Sequence, residues 1–548
     1  MSPPGHPKGE YRSAQNEGTP VSHIGQPPCD TGAILHGTPA VPHASAAQRW
    51  TLVAAILGSS MAFIDGTVVN VALPSIQREL NASASDAQWV IESYALFLAA
   101  LLLVGGSLGD HFGRRRIFML GVALFTASSI GCGLSASIAQ LIAARAVQGI
   151  GAALLVPGSL SLLSAAFPQA ERGAAIGTWS AFSGITAAIG PVVGGYLVDH
   201  DSWTWAFLVN APFGIVLLAI CASKVPESFG SASREPVDAA GAALATVGLA
   251  GTVFALIEAP AQGWASTRVL SAASVGVLAL GGFLYWEWRS SAPMLPLHLF
   301  RRRDFAGANL LTLLLYAALG GGLFFVPLNL IQVQGYGATS AGAALLPFVA
   351  IMFALSTWAG TLVDKFGSKL PLIVGPTIAA AGFALFAVPG VDTHYWTTFF
   401  PGVCVLGLGM SITVAPLTTT VMNAVGPDLA GVASGVNNAV SRAAGLLAIA
   451  IFGVVLASAF EADLARGLQR THASPEAIAT IVAQQQKLAG IPVPEGLPDA
   501  AELKLAVNNA FVNGFRWVML FSASLALLSA ISAWLLISGK ALAGPKPA

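Results

Sequence analysis

Four charged side chains stand inside apolar runs: Asp65 in MAFIDGTVVNVALP, Glu92 in QWVIESYAL, Arg145 in LIAARAVQGIG and Arg442 in NNAVSRAAG. An ionised group at bilayer depth costs a few kcal/mol or more, so each needs a counter-charge, a proton or a task. A carboxylate can gain and lose a proton. An arginine cannot, and instead tunes a neighbouring titratable group or pairs with it. Asp65 and Glu92 are therefore the candidates for proton coupling, and Arg145 and Arg442 for tuning or ion pairing.

Spacing sharpens the first pair. At 1.5 Å per residue, Asp65 lies roughly 13 Å from the Pro74 end of its run, and Arg145 roughly 9 Å into the fourth run. The two runs point in opposite directions, so both groups reach similar depth. An Asp65–Arg145 pair would lower the cost of burying both. Asp65 as a proton or cation site is the preferred reading; a purely structural pair competes with it. Glu92 follows Trp89, an interface aromatic, by one helical turn. A solvated carboxylate near a helix N-terminus is the plainer reading there, although its depth would let it face a cavity near Asp65. Arg442 has Asn437 and Asn438 one turn below it, and substrate contact and structural hydrogen bonding are both open to it.

The elements that must position these residues follow from composition. The 548 residues are 55% apolar and 9% charged, against roughly a quarter charged in a soluble protein. The expected fold is an all-α polytopic membrane protein. Zero net charge argues against a nucleic-acid partner. The four cysteines, Cys29, Cys132, Cys221 and Cys404, have no pairing or metal-ligand spacing, and the histidines sit in the tail or at segment edges.

A helix needs about 20 apolar residues to cross the hydrocarbon core. Runs of that kind lie near 50–72, 88–108, 117–136, 139–163, 174–197, 204–222, 238–258 and 269–288. Six more lie near 306–330, 341–363, 370–389, 397–420, 432–458 and 512–537, which makes 14. Arg114, Arg115, Arg116, Arg172, Lys224, Arg234, Arg289, Arg301, Arg302, Arg303, Lys365 and Lys369 fall on one side of these spans. Only Arg78 and Arg268 fall in the short loops opposite. The positive-inside rule then places both termini in the cytoplasm. Residues 1–47, rich in Pro, Gly, His and Ser, read as a disordered cytoplasmic tail without a secretory signal. The expected division is a six-helix bundle over 48–223, two additional spans and linkers over 224–305, and a second bundle over 306–540. The second bundle carries a long outer loop, 460–511, whose SPEAIATIVAQQQKL stretch suits a short amphipathic helix.

GSLGDHFGRR (106–115) and GTLVDKFGSK (360–369) repeat one pattern at the basic end of a span. The chain therefore contains a duplicated bundle, as in transporters with a midplane site. Two further spans between the halves, the seventh and eighth, account for the register of the two copies. Asp110 can cap a neighbouring helix there, while Arg114 and its neighbours bind carboxylates across the inner mouth.

GSLGDHFGRRR resembles motif A of the major facilitator superfamily, LIAARAVQGIGAALLVPG motif B, and AAIGPVVGG the antiporter motif C. IDGTVVNVALP resembles the first-helix motif of its fourteen-span drug:proton antiporter branch, the EmrB/QacA type. The resemblance spans residues 50–540. It implies the major facilitator fold of two six-helix bundles plus two additional central spans. It also implies a cytoplasmic gate at Gly106, Asp110, Gly113, Arg114, Arg115, Asp364 and Gly367, and an antiporter motif at Gly190, Pro191, Gly194 and Gly195. Two positions depart from the pattern: Thr204 replaces the arginine of Trp-Arg-Trp, and Ser368 replaces an arginine of the second motif A.

The resemblance further implies a multidrug efflux transporter of the bacterial cell membrane that exchanges amphipathic drugs or toxic small molecules for protons by alternating access. A proton symporter, or an exporter of one metabolite or lipid, would share the fold. Partners would be the substrate, protons, the bilayer and, if any, an accessory export protein. No phosphate-binding G-x-x-x-x-G-K-[ST] loop is present, so the energy source would be the proton gradient, with no cofactor. No histidine cluster or aspartate dyad lies within the spans to support an enzyme or a metal site.

Overall fold

The computed structural model describes residues 45–230, 238–425, 429–493 and 499–538, and every regular element among them is helical. Among the described residues, fourteen helices are long and apolar enough to cross a membrane. In the first half these are α1 (Ala46–Glu79), α2 (Ala84–Phe112), α3 (Arg114–Gly133), α4 (Ile138–Ala166), α5 (Gln169–His200) and α6 (Trp205–Leu208 with Asn210–Lys224). Next come α7 (Ala239–Gln262) and α8 (Thr267–Arg289). The second half holds α9 (Arg303–Leu328), α10 (Ala338–Ala343 with Leu346–Phe366), α11 (Lys369–Phe386), α12 (Tyr395–Asn423), α13 (Ala430–Leu468) and α14 (Ala500–Leu536).

Polar residues at the helix starts satisfy the orphan N–H groups of the first turn. Ser45 and Gln48 form a capping box at α1, Ser83 and Asp86 another at α2, and the Ser137 hydroxyl caps α4. The expected tail boundary therefore moves: Ser45 to Ala47 cap and begin α1, and residues 1–44, with Cys29, lie outside the described residues. So do Arg234 and the side chain of Asp364.

Helices α1–α6 and α9–α14 form the two bundles. Within lipid, their association rests on close packing rather than on expulsion of water, and small residues at the contacts supply it. A Cβ on Gly149 of α4 would stand 2.4 Å from the Tyr94 carbonyl oxygen of α2, so only glycine lets these backbones approach. The duplicated motif is visible as geometry. Gly113 ends α2 at φ 106° and Gly367 ends α10 at φ 68°, left-handed conformations that glycine adopts without strain.

Helix α7 packs on α2 of one bundle and α13 of the other, and the Trp89 indole of α2 donates to Glu258 of α7 at 2.9 Å. Helix α8 packs on α7 and is only 11% buried over its apolar window. The long loop is shorter than expected. Apolar content ends near 458, but α13 continues to Leu468 and α14 begins at Ala500. Between them lie a short helix, Pro475–Val482, and a 3-10 stretch, Gln485–Gly490. The face bearing this segment is called the loop face below; the opposite one, bearing Arg114–Arg116, is the basic face.

Candidate functional site

Asp65 and Arg145 meet. Both are fully buried, and Arg145 Nη1 donates to Asp65 Oδ2 at 2.5 Å. Two further donors reach the other oxygen, Gln148 Nε2 at 2.8 Å and Asn210 Nδ2 at 3.3 Å. Gln148 stands one turn beyond Arg145 on the same face of α4 and also accepts from Arg145 Nη1 at 2.8 Å. The Arg145 Nε donates to the Val90 carbonyl at 3.0 Å, and its guanidinium lies 4.2 Å from the Tyr94 ring centre. The carboxylate thus has three donors from two helices, and the arginine has its counter-ion, an amide and an aromatic face. Such saturation is what makes a buried ion pair tolerable.

Glu92 contradicts the expectation of a solvated interface acid. It is fully buried, and among the described residues neither carboxylate oxygen has a hydrogen-bond partner. The reason is tertiary. One turn before it, Gln88 donates to the Ile449 carbonyl of α13 at 3.3 Å and fits against Gly453. One turn after it, Leu96 packs with Val253 and Ile257 of α7 and Leu446 and Ala450 of α13. Glu92 therefore lies in the seam where α2, α7 and α13 converge. An ionised carboxylate without donors is heavily disfavoured in such a place, and the neutral acid is the form it accommodates.

A cavity of about 370 Å³ opens between the bundles. Tyr94 and Arg145 line it from the first bundle, Tyr316, Phe348 and Arg442 from the second. Asp65 is screened from it behind Arg145, and Glu92 is not on its wall. Phe324 lines it as well. Trp179 is buried against Ser59 instead, donating at 2.9 Å, and Phe182 is exposed on the outside of α5. Tyr94, Asn70, Met352 and Met410 were missed; their helical phase toward the other bundle is set by packing.

The bundles are pinned together on the loop face. Asp199, at the end of α5, accepts from the Ala338 and Thr339 backbone amides at 2.8 Å each and from the Thr339 hydroxyl at 2.6 Å. It caps the first turn of α10, so an acid of one bundle complements the helix dipole of the other. Gln332 donates to Gln77 at 2.8 Å, and Lys487 of the loop segment donates to Asn81 at 2.6 Å. The antiporter motif divides its work. Cβ atoms on Gly190 and Gly194 would strike Thr67 and Val68 of α1, whereas one on Gly195 would stand 2.5 Å from the Ala338 carbonyl. Reciprocally, a Cβ on Gly342 of α10 would lie 2.3 Å from the Pro191 carbonyl oxygen. Gly195→Val places atoms against backbone that cannot yield, so the loop-face ends of α5 and α10 must part. Spin labels at these two ends should report a distance longer by several ångström; an unchanged distance distribution would rule out this wedge.

On the basic face, Arg114 Nε pairs with Asp110 at 2.7 Å. Asp110 does not cap the neighbouring helix, as its position had led us to expect. That place is taken by Glu227, just past α6, missed in the sequence because it stands 112 residues after Arg115. Its carboxylate accepts from the Arg115 amide at 2.9 Å, beneath Gly113. The same segment adds Arg114 N to Ser228 O at 2.9 Å and Arg115 Nη1 to Val225 O at 3.0 Å. Gly106 packs near Pro157 at 3.7 Å. Glu227→Ala removes the α3 cap and should lower stability by about 1 kcal/mol in detergent unfolding. A variant as stable as the parent would show that the cap is idle.

Sequence comparison places this architecture among known proteins. The profile of the Major Facilitator Superfamily matches residues 55–449. The chain is 34% identical over 493 residues to the tetracenomycin C resistance and export protein of Streptomyces glaucescens, covering 88% of this chain and 90% of that one. It is 34% identical over 495 residues to the multidrug resistance protein Stp of Mycobacterium tuberculosis, covering 89% and 91%. Among solved structures, a bacterial homolog of the human lysosomal transporter Spinster, inward-facing and unoccupied, superposes with a TM-score of 0.63 at 19% identity. That superposition covers 90% of this chain and 98% of the other, a likeness of fold.

Proposed function

The chain belongs to the Major Facilitator Superfamily, a family of transporters rather than enzymes, and from that premise we propose that it exports amphipathic small molecules in exchange for protons. One observation carries the reading: a largely apolar cavity between two bundles, closed at one face by contacts that join them. The relatives named for resistance and export support it. The basic face is cytoplasmic by the positive-inside rule, which puts both chain ends in the cytoplasm of a cell whose plasma membrane holds the protein. The loop face then points outward, and the described conformation seals the cavity from outside.

Alternating access requires the loop-face contacts to break while contacts on the basic face form. Opening the loop face parts α2 from α13, and that movement hydrates Glu92. Closure with an ionised Glu92 is disfavoured, so each closure brings a proton inward. We assign the proton to Glu92, and to Asp65 the part of fixed counter-ion that holds Arg145 at the cavity wall. The gate around Asp110, Gly113, Arg114 and Arg115, with its second copy at Asp364 and Gly367, closes the cytoplasmic mouth in the opposite state. The proton gradient is the energy source, and no cofactor is needed.

The test is an everted vesicle preparation with an imposed pH gradient. Substrate moving against its gradient into the vesicle as protons leave supports antiport. Co-movement of both in one direction would establish symport and overturn the proposal.

A further inference from the structure

A second, smaller cavity of about 60 Å³ lies on the loop face, with room for a few water molecules. Its wall is rich in amides: Gln77, Gln88, Gln332 and Gln485 line it beside Lys487. Only a thin septum parts it from the central cavity. On α2, Ala87 lines the outer cavity and Ile91, one turn on, the central one. On α13, Gly453 and Ile449 divide in the same way. On α9 a single side chain, Phe324, lines both. Its ring is buried and packs edge-to-face on Phe325, with centroids 4.8 Å apart. Between α2 and α13 the septum is closed by the Gln88 hydrogen bond to the Ile449 carbonyl at 3.3 Å. The backbone that carries Phe324 is weakened locally. Pro327 has no N–H to offer the Leu323 carbonyl, so the helical ladder is interrupted beside Phe324. The turn that follows, Asn329–Val333, is wound as a π-helix.

We infer that Phe324 is the outer gate of the central cavity. Its ring is an apolar stopper between the substrate cavity and a polar vestibule, and bending of α9 at Pro327 withdraws it. The inference rests on the export reading above and adds the exit path to it: substrate leaves along the α2–α9–α13 side, through the amide-lined vestibule. A phenyl ring suits the position, being large enough to fill the septum and free of polar atoms along which water could file. The same opening breaks the Gln88–Ile449 contact one turn from Glu92, so substrate release and hydration of Glu92 share one movement.

The test reads accessibility from outside in the full-length protein, with Cys29, Cys132, Cys221 and Cys404 replaced by alanine. One thiol is then placed in each cavity, Ser85→Cys in the outer and Ala95→Cys in the central one. Intact cells, de-energised so that transport does not cycle, are treated with membrane-impermeant sulfonatoethyl methanethiosulfonate. With Phe324 in place, Ser85→Cys should react at least tenfold faster than Ala95→Cys. Equal rates overturn the inference without any variant at 324 having to fold. Phe324→Ala should raise the Ala95→Cys rate at least tenfold and leave that of Ser85→Cys unchanged. Phe324→Leu keeps part of the apolar bulk and should raise it less; it decides the matter if the alanine variant does not reach the membrane. An Ala95→Cys rate that neither substitution moves overturns the inference as well. Vesicle export separates the two claims. Unmoved labelling with export intact removes only the gate. The expected labelling with no gradient-driven export by the parent removes the transport reading.

Discussion

Asp65→Asn is expected to abolish export and to lower stability by about 3–5 kcal/mol, the usual consequence of leaving one partner of a buried pair without its counter-charge. The reason lies in what surrounds Arg145. Its Nη1 would face an amide in place of a carboxylate, while Gln148 and Asn210 would keep donating toward an oxygen that no longer carries charge. The guanidinium would then move, and with it the Tyr94 ring on which it lies. Both residues are on the cavity wall, so substrate binding fails together with stability. Adding Arg145→Gln to Asp65→Asn should recover most of the lost stability, because a neutral amide cluster replaces an orphaned cation. It should not recover export. Thermal unfolding of the four members of this cycle, alongside vesicle transport, measures both effects. Export at the parent rate in Asp65→Asn would remove the ion pair from the mechanism.

Glu92→Gln should behave in the opposite manner. A neutral amide suits the seam at least as well as a neutral acid, so the variant should unfold no earlier than the parent. Its defect should be in coupling. Transport should fall at least tenfold, and what remains should no longer respond to an imposed pH gradient, while substrate binding to the cavity persists. Glu92→Asp keeps a titratable group in place and should keep a pH-dependent, slower cycle. A Glu92→Gln variant that still accumulates substrate in proportion to the gradient would return the proton to another group, with Asp65 next in line.

These two residues also mark how far the sequence could be read. The fourteen spans were legible because crossing lipid demands a long apolar run, whatever the tertiary fold. The Asp65–Arg145 pair was legible because depth along a helix is a matter of counting. Gln148 and Asn210, which complete that pair, were not: uncharged polar residues in a span carry no depth penalty large enough to single them out. Glu92 was misjudged as solvated because its position along α2 was known but its azimuth was not. Only the packing of α13 and α7 over that face decides its environment. Glu227 was hidden for a similar reason, being brought to the Gly113 turn by a connection that runs under the bundle. The extent of the outer loop was misjudged because α13 and α14 keep winding past their apolar stretches, where hydropathy gives no signal.

The additional hairpin has a mechanical consequence. A body of two six-helix bundles has two lateral seams through which bilayer and cavity can communicate when the bundles rock. Here α7 spans one of them, in contact with α2 and α13 at once and tied to Trp89. When α2 parts from α13, the seam that opens is therefore backed by a third helix, which stands between it and the acyl chains. Among the described residues, the opposite seam, between α5 and α10, has no such strap. That flank is closed instead by direct contact, with Gly195 against Ala338 and Gly342 against Pro191. The two flanks thus meet the lipid differently, even though the two halves repeat.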